Sequence, residues 1–352
     1  MEIQQRINAF VKLGEFLSQF SKKGIQKKEG ITNNDKFFDG FMQQIKLAEI
    51  NNGWFTQKNI LFALENWSNA LNINKFNQWL KKYNFNNLDS KKIAIIMAGN
   101  IPLVGFHDFL SVLISGHKVI VKQSSNDKHL LPYLSKYLIA IEPTFEVRII
   151  FTEDKLEHYD AVIATGSNNS ARYFEYYFKD KPSIIRKNRN SAAILMGNES
   201  EDDLKALSED ILNYFGLGCR NVSKLFVPKG YNFDRFFNAI YDWNPIINHT
   251  KYANNYDYNK AVYLMSMFNI LDNGFLMIKE DENYASPISV VFYEYFDDLN
   301  QLKQKLLVDK NQIQCIVSKN MFEDEIPFGK SQKPELWDYA DNMDTIEFLL
   351  KI

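Results

Sequence analysis

Cys219 is the residue whose type and surroundings point most clearly to chemistry. It follows Gly216-Leu217-Gly218, where the helical spacing of apolar residues across 204–215 ends and a strand pattern across 222–227 begins. Glycines at these positions let a substrate or cofactor approach the backbone closely. A thiolate on such a turn can form a covalent acyl intermediate, whereas a structural thiol more often fills core volume. Both readings fit the turn, and the second cysteine, Cys315, lies inside a predicted strand and is expected in the core.

The elements that would position this thiol alternate between strands and helices. Helical spacing dominates from residue 7 to about residue 90, and short apolar runs alternate with helices after that. Such alternation predicts a parallel sheet with helices on both faces, which binds nucleotides at the carboxyl ends of its strands. The pattern resumes beyond Cys219 and predicts a second α/β domain. The predicted strands are 93–97, 118–122, 147–151, 161–164, 192–196, 222–227, 288–292 and 314–317, and the predicted helices include 109–114, 130–141, 170–178 and 299–307.

Composition excludes several classes of protein. The 41 basic and 43 acidic side chains nearly balance, so no nucleic-acid partner is expected. Two cysteines give no disulfide framework, the N-terminus lacks the apolar core of a signal peptide, and no apolar run approaches the ~18 residues of a membrane span. We therefore expect a cytoplasmic protein. The five histidines lack metal-ligand spacing, so no metal is predicted.

Four motifs follow one another along the chain. The first three each lie at or directly after a predicted strand. The four motifs are Ala98-Gly99-Asn100-Ile101-Pro102, Gly116 to Ser125, Ala164-Thr165-Gly166-Ser167, and the Cys219 turn. Their order and spacing resemble the aldehyde dehydrogenase superfamily, and Glu282 to Pro287 and Pro327 to Ser331 extend the resemblance. Within that superfamily the chain looks most like the fatty acyl-CoA reductases associated with bacterial luminescence.

The resemblance implies an α/β, aldehyde-dehydrogenase-like fold with an N-terminal helical layer. Residues 1–188 would hold the N-terminal helices and an NAD(P)-binding domain with a parallel sheet and helices on both faces. Residues 189–325 would form a second α/β domain, the catalytic one that carries the cysteine. Residues 326–352 would return to the domain interface.

The resemblance also assigns roles to residues of this chain. Cys219 would be the nucleophile, and its backbone N–H and the Asn100 amide would stabilise the oxyanion. Glu282 or Asn283 would contact the nicotinamide ribose, and both assignments are kept open. The remaining cofactor contacts would come from Lys122, Ser124, Ser125, Thr165, Gly166 and Ser167.

Two departures from the oxidising members of the superfamily favour reduction of an acyl thioester. Residues 185–191 lack the glutamate that activates water in those members, so the acyl-enzyme would exchange with coenzyme A. Ser125 replaces the glutamate that holds the adenosine ribose in NAD-preferring members, which favours NADPH. The basic residues Arg186, Lys187 and Arg189 are interpreted as a solvated loop, with coenzyme A phosphates as the alternative.

The expected function is therefore NADPH-dependent reduction of a fatty acyl thioester, carried by coenzyme A or a carrier protein, to an aldehyde. The alternatives are a hydrolytic NAD(P)-dependent aldehyde dehydrogenase and a non-catalytic nucleotide-binding relative. An acyl-protein synthetase, as in the luminescence systems, is a conceivable acyl donor. The oligomeric state stays open, with a homodimer among the options.

Overall fold

The chain forms two compact units in a computed structural model that describes residues 1–86 and 88–352. The first unit consists of Met1–Lys187 and Glu335–Ile352, and the second consists of Asn188–Pro334. The second unit is therefore inserted, along the chain, between two parts of the first. The assignment of cofactor binding and catalysis to separate domains stays a prediction.

Helices begin the first unit, and their apolar stripes are buried. They are α1 (Ile3–Leu17), α2 (Asn34–Asn51), α3 (Gln57–Ala70) and α4 (Ile73–Leu80). Thr56 and Asn72 cap α3 and α4 by accepting hydrogen bonds from backbone N–H groups three residues later. A small antiparallel pair, β1 (Phe20–Ser21) and β2 (Gly24–Ile25), interrupts the predicted helical stretch, because strands of two residues carry no readable period. That stretch was predicted to about residue 90, and Asn87 within it lies outside the described residues.

A parallel sheet of five strands forms the middle of the first unit. Its strands are β3 (Lys92–Ile96), β4 (Lys118–Lys122), β5 (Ile149–Phe151), β6 (Ala161–Thr165) and β7 (Ser183–Arg186), in the spatial order β5-β4-β3-β6-β7. Helices α5 (Phe106–Ile114), α6 (Leu130–Ile141) and α7 (Asn168–Tyr177) follow β3, β4 and β6. The chain leaves β3 toward β4 and later returns to its other side at β6. This change of direction creates a crevice at the carboxyl ends of β3 and β6, where ligands bind in open α/β sheets.

The C-terminal segment completes the first unit. Its helix, Thr345–Leu350, buries Ile346 and Leu349 completely in the core of that unit. The Trp79 indole donates to the Tyr339 hydroxyl at 2.7 Å, and the His117 ring donates to the Leu349 carbonyl at 2.8 Å. Residues 335–352 are therefore part of this core.

The second unit is built on six strands in the order β10-β11-β12-β9-β8-β13. All neighbours are parallel except β10 and β11. The strands are β8 (Asn190–Ile194), β9 (Val222–Pro228), β10 (Ile270–Asp272), β11 (Met277–Glu280), β12 (Val290–Phe296) and β13 (Ile313–Val317). The helices are α8 (Glu201–Leu212), α9 (Phe233–Ala239), α10 (Thr250–Met265) and α11 (Leu299–Val308).

Two local predictions were wrong. The alternation of apolar and polar residues at 222–227 predicts a half-buried strand, but β9 lies between two strands and buries even the Lys224 side chain, whose ammonium bonds Glu294 at 3.0 Å. The prediction of a solvated basic loop at 185–191 is wrong for Arg186. That residue ends β7, is buried, forms an ion pair with Asp108, and donates to Thr345 Oγ1 at 3.1 Å. A buried guanidinium needs such a partner because desolvation of an unpaired charge is costly.

No helix within residues 1–86 and 88–352 combines the length and apolarity that crossing a bilayer requires.

Candidate functional site

The predicted cofactor residues of the first unit lie at the carboxyl edge of its sheet. Asn100 follows β3, Lys122 ends β4, and Thr165 ends β6. Because β4 and β6 are the two neighbours of β3, these three chain segments lie side by side. The structure thus brings together Asn100, Lys122 and the turn at 165–167 on the two sides of the strand crevice.

The loops after β3 and β4 are in contact. A Cβ atom on Gly99 would lie 2.6 Å from the Ser124 side chain, so only glycine permits this approach. Ser124 Oγ accepts the Asn126 N–H at 3.3 Å, which forms a tight turn, and Ser125 lies exposed within that turn. Lys122 Nζ donates to the Asp154 carbonyl at 2.9 Å. Ser124 is therefore placed against the Asn100 loop, and Ser125 faces solvent.

Asp127, which the sequence analysis did not single out, fixes the loop that carries Asn100. Its Oδ2 accepts the Leu103 N–H at 2.8 Å, and Leu103 has a left-handed backbone with φ of 58°. Its other oxygen, Oδ1, is buried and has no hydrogen-bond partner among the described residues. Burial raises the pKa of the Asp127 carboxyl to about 7, an effect that the Leu103 hydrogen bond opposes. In the sequence, the one feature that points to Asp127 is its position in the polar run that directly follows β4.

The turn after β6 starts helix α7. Ser167 Oγ accepts the Ser170 N–H at 3.2 Å, and Gly166 N–H donates to the Arg186 carbonyl on β7 at 3.3 Å. The N-terminus of a capped helix presents backbone N–H groups and the positive end of the helix dipole, both of which suit a phosphate. The predicted Thr165, Gly166 and Ser167 thus form a helix entry at the edge of the sheet.

Cys219 is exposed on a turn of the second unit, as its glycine surroundings predicted. The segment before it is unusual, because Tyr214 and Phe215 both have a left-handed backbone, with φ of 54° and 58°, ahead of Gly216 at 76°. Each non-glycine residue in this conformation costs about 1–2 kcal/mol. Strained backbone of this kind concentrates at functional sites, where the surrounding structure holds it.

Two polar side chains that the sequence analysis missed bind the backbone of the Cys219 turn. Asn221 Oδ1 accepts the Gly218 N–H at 2.8 Å, and Ser191 Oγ donates to the Cys219 carbonyl at 3.0 Å. Asn221 Nδ2 also contacts the carbonyls of Asp210, Ile211 and Asn213 at 3.0, 3.2 and 2.9 Å. The position of Asn221, two residues after the cysteine, was the only signal available in the sequence.

The other thiol differs from Cys219 in its surroundings. Cys315 lies within β13, its Sγ is 3.0 Å from Ser191 Oγ, and burial raises its pKa to about 11. Since the Ser191 hydroxyl gives its one hydrogen to the Cys219 carbonyl, the Cys315 thiol is the donor in this contact. The second unit thus contains one exposed thiol, that of Cys219, and one partly buried thiol, that of Cys315.

Glu282 and Asn283 lie in the connection between β11 and β12, and both are exposed. Asn283 is held locally, because its backbone N–H and side-chain amide both donate to Asp281 Oδ1, at 3.0 and 2.8 Å. Lys279 in turn pairs with Asp281 at 2.5 Å. Either residue is accessible to a ligand, so the choice between them stays open.

Comparisons with known proteins agree with this architecture. The family model described as acyl-CoA reductase (LuxC) matches residues 18–235, more than half of the 352 residues. A search of the curated proteins gave no significant match.

Several solved aldehyde dehydrogenases are similar to the chain in structure. An indole-3-acetaldehyde dehydrogenase complexed with NAD+ has a TM-score of 0.65 and 12% identity, over 92% of this chain and 73% of that one. Aldehyde dehydrogenase 21 from Physcomitrella patens, in complex with succinate, has a TM-score of 0.68 and 12% identity, over 100% and 84%. An NAD-dependent aldehyde dehydrogenase from Sinorhizobium meliloti has a TM-score of 0.64 and 12% identity, over 92% and 71%.

At these identities the similarity shows the fold, and the predicted α/β, aldehyde-dehydrogenase-like fold with its N-terminal helical layer is confirmed. The family match over residues 18–235 adds the reaction class. The chain therefore belongs to the acyl-CoA reductase (LuxC) family, and its fold is that of the aldehyde dehydrogenases.

Proposed function

We propose that this protein reduces a fatty acyl thioester of coenzyme A to the aldehyde with NADPH, through a thioester on Cys219. The observation that carries the proposal is an exposed thiol on a turn whose backbone is held by Asn221 and Ser191, in a chain of the acyl-CoA reductase family. The second cysteine is a poor candidate, because burial raises its pKa to about 11.

The covalent step uses groups of this chain. The Cys219 thiolate attacks the carbonyl carbon of the acyl thioester, and the carbon–sulfur bond to coenzyme A then breaks, with coenzyme A leaving as a thiolate that takes up a proton. The Cys219 backbone N–H is one oxyanion donor, and we assign the second to the Asn100 amide, as the family resemblance does. Removal of one such donor typically costs about 10²–10³ in rate.

The first unit fits a dinucleotide at its sheet edge. Lys122, the hydroxyls of Ser124 and Ser125 and the N-terminus of α7 at residues 165–167 would hold it, and Glu282 or Asn283 would contact the nicotinamide ribose. When bound, NADPH supplies the hydride that converts the acyl-enzyme to aldehyde and returns the Cys219 thiolate.

The choice of NADPH rests on the charge of the loop after β4. Residues 123–126 carry no carboxylate, and the next one, Asp127, is buried against the Leu103 N–H. A 2′-phosphate would therefore meet the Lys122 ammonium without a carboxylate from this loop. One observation favours NADH instead. Lys122 contacts the backbone carbonyl of Asp154, and the negative charge of this exposed acidic residue would repel a 2′-phosphate near the lysine.

The lack of a water-activating base supports reduction over hydrolysis. Residues 185–191 contain no carboxylate, and Arg186 within them is committed to Asp108. Base assistance is worth about 10²–10⁴-fold, so without it the acyl-enzyme is hydrolysed slowly. We expect little free acid and ready exchange with coenzyme A.

Intact-mass analysis of the protein mixed with a long-chain acyl-CoA, without cofactor, tests the proposal. Wild type and Cys315→Ala should gain one acyl group, and Cys219→Ala should gain none. Subsequent NADPH should discharge the acyl group as aldehyde, faster than equal NADH. Equal acylation of Cys219→Ala would refute the nucleophile, rapid release of free acid would favour the hydrolytic dehydrogenase, and cofactor binding without any acylation would favour the non-catalytic relative.

A further inference from the structure

One buried side chain makes most of the contacts that define the Cys219 turn. Asn221 is 2% exposed, and its amide nitrogen contacts three carbonyls at the end of α8, those of Asp210, Ile211 and Asn213. Carbonyls in the last turn of a helix lack partners within the helix. Its oxygen accepts the Gly218 N–H at 2.8 Å. A single carboxamide thus joins the end of α8 to the peptide just before the cysteine.

This side chain also closes the strained segment at both ends. The left-handed residues Tyr214 and Phe215 lie between Asn213, whose carbonyl bonds Asn221, and Gly218, whose N–H bonds the same side chain. Left-handed backbone persists only where surrounding contacts determine it. The centroid of the Phe215 ring lies 4.3 Å from that of His249, so this segment also packs against the start of α10.

Asn221 and Ser191 together fix three successive peptide groups around the cysteine. Asn221 binds the Gly218 N–H through its side chain and the Gly218 carbonyl, at 2.9 Å, through its backbone N–H. Ser191 binds the Cys219 carbonyl. In a planar trans peptide the N–H points opposite to the carbonyl. Because the Gly218 carbonyl points toward Asn221, the Cys219 N–H, our proposed oxyanion donor, points the other way.

We propose that Asn221 is a positioning residue of the acylation step, which holds the Cys219 thiol and backbone N–H in the geometry for attack. This inference rests on the proposed function, since it takes Cys219 as the nucleophile. A displacement of about 1 Å at a reacting group costs about 10²-fold in rate. The loss of Asn221 should therefore reduce acylation far more than it reduces the simple reactivity of the thiol.

The test compares two reactions of Cys219 in the full chain, namely acylation by a long-chain acyl-CoA and alkylation by iodoacetamide, which forms no oxyanion. Asn221→Ala should slow single-turnover acylation by about 10²-fold and change alkylation by less than about 3-fold. The matched control is Asn259→Ala in the same unit, which removes a buried asparagine that donates to the Ile288 carbonyl at 2.9 Å. That variant should acylate at the wild-type rate.

The outcomes separate the two proposals. Wild type that never acylates overturns the proposed function and this inference with it. Wild type and Asn221→Ala acylating at equal rates overturn the inference alone, as does an equal loss in both reactions. Should Asn221→Ala fail to fold, Asn221→Ser decides, because its hydroxyl can accept the Gly218 N–H but cannot bond three carbonyls. A serine variant that acylates as fast as wild type then refutes the positioning role.

Discussion

Replacement of Asp127 by asparagine should remove a pH dependence from the stability of the first unit. The carboxyl is buried, accepts the Leu103 N–H through Oδ2, and leaves Oδ1 without a partner among the described residues. An asparagine oxygen can accept the same N–H, while its NH2 group would occupy the unpartnered position. That substitution has a fixed cost of about 1–3 kcal/mol for a buried unsatisfied donor, at every pH.

The sign of the effect follows from where the proton is held. Burial raises the pKa of Asp127 in the folded protein from 3.8 to about 7. Below pH 3.8 both states are protonated and the full stability is present, and between 3.8 and 7 only the folded state keeps the proton. Stability therefore falls by about 1.4 kcal/mol per pH unit in that window and levels off above it. From pH 5 to pH 8 the loss is about 3 kcal/mol, and Asp127→Asn should lack it.

Native-state hydrogen exchange of peptides from β3 and β4 measures this difference. A comparison of variant and wild type at the same pH cancels the intrinsic exchange rate. The exchange rate of the wild type divided by that of the variant should therefore rise by about 10²-fold between pH 5 and pH 8. Asp160→Asn is the control, because Asp160 also accepts a backbone N–H, from Lys92 at 2.8 Å, but is exposed. An unchanged ratio for Asp127→Asn would refute the argument from burial.

Two further predictions concern the Arg186–Asp108 ion pair and the two thiols. Arg186→Met should destabilise the first unit by about 3–5 kcal/mol, because Asp108 is left buried and unpaired, whereas the double variant Arg186→Met with Asp108→Leu should recover most of that loss in hydrogen exchange of β6 and β7. A double variant as unstable as the single one would contradict this account. In native protein at pH 8, Cys219→Ala should resist iodoacetamide and Cys315→Ala should react, since a thiol with a pKa of about 11 is only about 10⁻³ ionised. Alkylation of Cys219→Ala at the wild-type rate would contradict this account, because it would show that the Cys315 thiol reacts.

Most of the fold follows from local patterns. Helix α6 and strand β4 match the predicted residues, because continuous apolar periodicity with clear ends specifies them. Helix α5 begins at Phe106, three residues earlier than predicted, and β12 begins at Val290, two residues later. Element ends depend on capping and pairing contacts, which apolar periodicity does not record.

The features that pattern reasoning missed depend on residues far apart in the chain. Arg186 is buried because Asp108, 78 positions away, pairs with it. Lys224 is buried because β9 has a strand on each side and Glu294 reaches its ammonium. The sequence marked Cys219 through its glycines, whereas Ser191 lies 28 positions from the carbonyl that it binds, so nothing local marked it.

The insertion of the second unit within the first determines the order in which the protein can finish folding. The 147 residues of Asn188–Pro334 form one continuous stretch, while the core of the first unit needs Ile346 and Leu349, which are translated afterwards. At about 5–20 residues per second, the ribosome needs about 7–30 s to make the insertion. During that time the apolar surface that will receive Ile346 and Leu349 stays uncovered and open to chaperones or aggregation. The unit whose synthesis starts first is therefore the last to be completed.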